Sequence, residues 1–168
     1  SALETLRRST KNAGLGWFES PLSLSHPVVP QDAIADHFID EVKAAAEESI
    51  ANAATRTYVL TGRNTGCKPA VSALLATAGL EFEDVICKTA ADKWKNAEYK
   101  KTWLAGLIKR HKAEYVEVWE DDHAIVRFLR STFGDDTVRI YDVKTFVQHT
   151  ATHLSAKIEL DLVGKLIT

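Results

Sequence analysis

Tyr58-Val59-Leu60-Thr61-Gly62-Arg63 is a short apolar run that stops abruptly at a hydroxyl, a glycine and a cation. Its β-prone residues predict a buried strand, and the Thr-Gly-Arg stretch predicts the turn that ends it. The same arrangement recurs downstream. Val85, Ile86 and Cys87 end at Lys88; Tyr115, Val116, Val118 and Trp119 end at Glu120-Asp121-Asp122; Val138, Ile140 and Val143 form a fourth run. Helical spacing fills the intervals. Ala70, Val71, Leu74, Leu75 and Ala78 make an apolar face with Pro69 near its first turn and Gly79 as its stop. Trp94, Trp103, Leu104, Leu107 and Ile108 make another before His111, and Ile125, Phe128 and Leu129 a third before Gly134. Upstream, Ile34, Phe38, Val42, Ala46 and Ile50 predict a helix over 32–52. Strands alternating with amphipathic helices require crossover connections, so the expected fold class is α/β: a three-layer parallel sheet with helices on both faces.

The 168 residues, 45% hydrophobic and 26% charged, suit one domain with a sizeable core. Residues 1–30 read as an N-terminal arm, broken by Gly14, Gly16, Pro21, Pro27 and Pro30 and carrying Trp17 and Phe18 as a docking pair. Residues 31–143 form the core, and 144–168 a C-terminal extension in which Ile158, Leu160 and Leu162 alternate as a late strand or a partner-binding segment does. The net charge of -2 supplies no general basic field, so binding to nucleic acid is not favoured by composition. Lys93, Lys95, Lys100, Lys101, Lys109, Arg110 and Lys112 interleave with Trp94, Tyr99 and Trp103, and the expected reading is a solvated helix face with aromatic anchors in the core. No window reaches the roughly 18 apolar residues of a membrane span. Cys67 and Cys87 lack metal-ligand spacing and are expected to be reduced and partly buried, as in an intracellular compartment. The absence of methionine and the start at Ser1 fit either a processed chain, with a mitochondrial location suspected, or an excised one.

In an open parallel sheet, ligands gather beyond the carboxyl ends of the strands. Thr61, Gly62, Arg63 and Lys88 fall there as phosphate-site candidates, a hydroxyl and backbone amides to hold oxygens and cations to offset charge. Asp121 and Asp122 fall there as candidate magnesium ligands.

The ordered set Tyr58 to Arg63, Leu80 to Lys88 and Val118 to His123 is similar to motifs two, three and four of haloacid-dehalogenase-like (HAD-like) phosphatases. It most resembles the Swiss Army Knife RNA repair-like branch, and Gly14-Leu-Gly-Trp-Phe-Glu-Ser-Pro21 resembles the segment between that branch's first two motifs. The resemblance implies a Rossmannoid fold and phosphoryl transfer through an aspartate of an Asp-x-Asp motif at the end of a central strand. No aspartate of the chain stands in that pattern: Asp142 has Lys144 where the second carboxylate belongs. The expected nucleophile strand would lie upstream of Ser1, leaving an incomplete sheet whose gap is filled by another segment, such as Ile158 to Leu162, or by a partner. Asp122 also replaces the branch's arginine, so Asp121 and Asp122 read as a remnant metal site. The resulting expectation is a non-catalytic HAD-like accessory or structural subunit among other protein subunits, as in a mitochondrial respiratory (ATP synthase-type) or ribosomal complex. The alternative is a magnesium-dependent phosphatase of phosphorylated nucleic-acid ends with its nucleophile upstream; only then is a cofactor, Mg2+, expected.

Overall fold

The apolar run around Tyr58 grows into a ten-residue strand, β1 (Thr55–Asn64), because β-branched threonines extend it on its amino side. Alternate residues of β1 point to opposite faces, and both faces are covered. Val59 joins one core with Val71, Leu74, Leu75 and Val85, while Tyr58 and Leu60 join the other with Tyr99, Leu104, Val118 and Leu129. The computed structural model that shows this describes residues 1–12, 16–29, 38–89, 91–92, 94–134, 136–150 and 165–167.

The chain begins with α1 (Ala2–Asn12), followed by short 3-10 turns at Trp17–Glu19 and Pro21–Leu24. Next come α2 (Asp40–Ala51), β1, α3 (Lys68–Thr77), β2 (Asp84–Lys88) and α4 (Asn96–His111). The second half adds β3 (Tyr115–Glu120), α5 (His123–Phe133), β4 (Val138–Asp142), α6 (Val143–Thr150) and β5 (Lys165–Ile167). Helix ends follow local chemistry: Pro69 opens α3, Asp122 caps α5, and Gly79 and Gly134 take positive φ values of 72° and 70° just beyond α3 and α5.

The sheet order is β2-β1-β5-β3-β4. β1 pairs parallel with β2, and β3 pairs parallel with β4. Between the two pairs sits β5, antiparallel to both neighbours. Two strands antiparallel to a common third run in the same direction, so β1 to β4 all deliver their carboxyl ends to one edge. The expected α/β sandwich with helices on both faces is therefore present, with one antiparallel strand at the centre of an otherwise parallel sheet. A strand that enters from the carboxyl edge can only run antiparallel to strands that end there.

Several expectations shift. The helix expected over 32–52 begins at Asp40; Phe38 precedes it yet is buried, and residues 30–37, Ile34 included, lie outside the described residues. Trp94 stands two residues before α4 and is 51% exposed, because the helix starts only once the chain has crossed the carboxyl edge at Asn96. Val143 opens α6 instead of closing β4. The segment seen in the central gap is Lys165–Ile167; Ile158, Leu160 and Leu162 lie outside the described residues. Among the described residues, no helix is long and apolar enough to cross a membrane.

Near the amino end of β1, Glu83 accepts hydrogen bonds from Arg56 at 2.6 Å and from the Tyr58 hydroxyl at 2.9 Å, and that hydroxyl also meets His111 Nε2 at 2.8 Å. Burial, and then the Glu83 bond, push the Tyr58 hydroxyl up to about 12. Burial alone would raise the Glu83 carboxyl, but the bonds from Arg56 and Tyr58 outweigh it and hold the group below its usual 4.5. A depressed carboxyl lends stability above its unfolded value and loses it as pH falls through its folded one. The denaturant midpoint should thus drop below about pH 4.5, and Glu83→Gln should flatten that acid limb; an unchanged limb in the variant would exclude Glu83 as its source.

Candidate functional site

The register of β5 sets the geometry at the carboxyl edge. Lys165 lies opposite Thr57 on β1 and Glu117 on β3, and Ile167 opposite Thr55 and Tyr115. Counting up the two strands from those pairs, Leu60 is level with Glu120, and Thr61 with Asp121. β1 and β3 are thus two strand spacings apart, about 9.5 Å. Between Tyr58–Thr61 and Val118–Asp121, no strand is present among the described residues.

Thr61 is buried, and its Oγ1 accepts the amide of Arg63 at 3.2 Å; the chain does not turn there as the Thr-Gly-Arg run predicts but stays in β1 to Asn64, with a register irregularity against β2 between Thr61 and Asn64. Gly62 lies against α4: a Cβ there would come within 2.7 Å of Asn96 Nδ2 and 2.8 Å of Asn96 Oδ1. That same Oδ1 is 3.4 Å from Lys88 Nζ, which donates at 2.6 Å to the Trp94 carbonyl. Asn96 therefore joins the ends of β1 and β2, so Thr61, Gly62 and Lys88 share one location. Arg63 has a second task. Its guanidinium donates to the Phe18 carbonyl and, at 2.7 Å, to Ser23 Oγ. Asn64 Nδ2 and Cys67 Sγ both reach the Glu19 carbonyl, at 2.8 Å and 3.2 Å. Four bonds from the end of β1 and the 3-10 turn after it thereby pin the N-terminal arm beside the site. Within the arm Trp17 packs edge-on to Phe18, ring centroids 6.4 Å apart, under the guanidinium of Arg7.

The acidic end of β3 is committed to the fold. Glu120 is fully buried and pairs with Lys100 Nζ at 2.6 Å; its other oxygen accepts the amides of Asp121 and Asp122. Asp122 caps α5 through the amides of Ala124 and Ile125, at 2.8 Å and 3.3 Å. His123 pairs with Asp142. Asp121 turns one carboxylate oxygen out of solvent. Among the described residues, no group of three His, Cys, Asp or Glu side chains could hold a metal ion. Cys67 and Cys87 are free and buried; burial pushes the Cys87 thiol up to about 11, which keeps it protonated and unsuited to nucleophilic attack.

Asn96 and the carbonyl clamp on the arm escape sequence reading, while Lys100, expected on a solvated helix face with the other cations of its stretch, is instead buried against Glu120. Lys100 left a trace, since it precedes Leu104 and Leu107 by four and seven residues on the buried stripe of α4. Asn96 and the Phe18 and Glu19 carbonyls left none, since main-chain acceptors look alike in any sequence.

Parallel strands that bring a hydroxyl, a glycine, a lysine and acidic residues to one sheet edge agree with an incomplete HAD-like domain. The family model described as HAD domain family 1 in Swiss Army Knife RNA repair proteins matches residues 1–168, and the chain belongs to that family. No curated protein and no solved structure matches it.

Proposed function

We propose that this domain binds phosphate monoesters at the carboxyl edge of its sheet, at phosphorylated nucleic-acid ends in keeping with the RNA-repair proteins of its family. Hydrolysis there depends on an aspartate nucleophile delivered by a strand in the upper part of the central gap, from upstream of Ser1 or from a partner. The observation that carries this reading is the junction at Asn96, which sets Thr61 and Gly62 beside Lys88 at the sheet edge where Asp121 stands level across the gap. The Thr61 hydroxyl and nearby amides suit phosphate oxygens, and the Lys88 ammonium offsets their charge.

A second reading is a non-catalytic accessory or structural subunit of a larger assembly, such as a mitochondrial respiratory or ribosomal complex. It draws on the internal commitments of Arg63, Glu120 and Asp122. Calorimetric titration of the 168-residue chain with inorganic phosphate and a nucleoside monophosphate separates the two. Saturable binding is expected, weakened about tenfold or more in Thr61→Ala and in Lys88→Ala, without turnover of the ester. Absence of binding would leave the accessory reading; metal-dependent turnover by this chain alone would overturn the placement of the nucleophile elsewhere.

A further inference from the structure

The exposed large apolar side chains among the described residues are Phe18, Leu22 and Trp94, at 39%, 62% and 51% of their surface. Single exposed apolar residues are ordinary. These three are not scattered. The Phe18 carbonyl is held by Arg63, Leu22 adjoins Ser23, whose hydroxyl Arg63 also holds, and the Trp94 carbonyl is held by Lys88. Each cation at the carboxyl edge therefore carries an outward-facing aromatic ring on the backbone segment it grips. The other aromatics of the basic stretch behave as core anchors: Tyr99 is fully buried and Trp103 packs partly buried against the second core.

We infer that Phe18 and Trp94 are stacking platforms for the unpaired bases of a single-stranded nucleic-acid end whose terminal phosphate sits at Thr61 and Lys88. Aromatic faces beside cations are the elements by which proteins hold single strands without reading sequence, the rings stacking on bases while the cations follow the backbone. Phe18 is backed by the Trp17 ring, and the backbone that carries Trp94 is held by the Lys88 bond to its carbonyl. The neighbouring carboxylates are engaged locally: Glu19 accepts the Gly16 amide, and Asp92 accepts the amide and hydroxyl of Thr89. The two rings stand on separate backbone segments, Phe18 in the N-terminal arm and Trp94 before α4, and stacking on such faces tolerates any base.

This assignment rests on the phosphate-binding reading, and the test separates them. Dissociation constants of the 168-residue chain are measured for inorganic phosphate, a 3′- or 5′-phosphorylated single-stranded pentanucleotide, its abasic analogue, and a phosphorylated blunt duplex. Trp94→Ala and Phe18→Ala should each weaken the pentanucleotide about tenfold while leaving inorganic phosphate unchanged. Trp94→Phe should retain binding, and the abasic and duplex ligands should bind no tighter than the pentanucleotide binds to Trp94→Ala. Equal affinity for the abasic strand or the duplex, or an unaffected Trp94→Ala, would overturn the stacking assignment while phosphate binding stands. Ring-dependent binding of the pentanucleotide without any binding of phosphate would overturn the phosphate reading and the placement of the terminal phosphate, while the stacking of bases stands. Failure of every ligand to bind overturns both.

Discussion

Lys100→Met is expected to lower folding stability by about 3–5 kcal/mol, the usual cost of removing one partner from a buried ion pair. Lys100 Nζ lies 2.6 Å from Glu120 Oε2, with side-chain exposures of 2% and 0%. Deleting the cation strands a carboxylate with no route to water. The variant should also loosen the carboxyl edge, because Glu120 orders the amides of Asp121 and Asp122 where α5 begins. Glu120→Gln keeps an acceptor for those amides without the charge. Lys100→Met/Glu120→Gln should therefore be more stable than the Lys100→Met single variant, with a coupling energy of about 0.5–3 kcal/mol in a double-mutant cycle. Urea denaturation of the four proteins measures it; a Lys100→Met cost below about 1 kcal/mol would mean that water reaches the pair.

Gly62→Ala should cost about 1–3 kcal/mol, in the range for overpacking at a tight contact. Its new methyl would meet Asn96 Cγ, Nδ2 and Oδ1 at 2.7–2.8 Å, well inside van der Waals contact. Asn96 must move, and in moving it withdraws Oδ1 from Lys88. Stability and phosphate affinity should therefore fall together. In an Asn96→Ala background the obstruction is gone, and the added cost of Gly62→Ala should shrink below about 0.5 kcal/mol. The same cost in both backgrounds would place the strain in the β1 backbone rather than at α4.

The strand ends show how far local sequence carries. Cys87-Lys88 marks where β2 stops, since apolar side chains continue only while two covered faces demand them, whereas β1 runs on past Thr61 to Asn64. The alternation of Tyr58, Val59 and Leu60 between two cores follows from the same rule. By contrast, Arg63 reads as a phosphate ligand from its motif alone, yet it clamps an arm some forty residues upstream, because which acceptor lies within reach depends on where the arm crosses the edge.

The sequence by itself determined the alternating α/β order, the covered parallel strands, the placement of Thr61, Lys88 and Asp121 at carboxyl ends, and the family. Each of these follows from side-chain periodicity or from ordered motifs, which are local. Only the tertiary structure decided that Lys100 neutralises Glu120 twenty residues away, that Asn96 ties Gly62 to Lys88, that Trp94 faces solvent while Tyr99 is buried, and that Lys165–Ile167 enters the central gap antiparallel. Those outcomes turn on which groups meet after the sheet closes over its two cores, and contacts between distant residues leave no period in the chain to read.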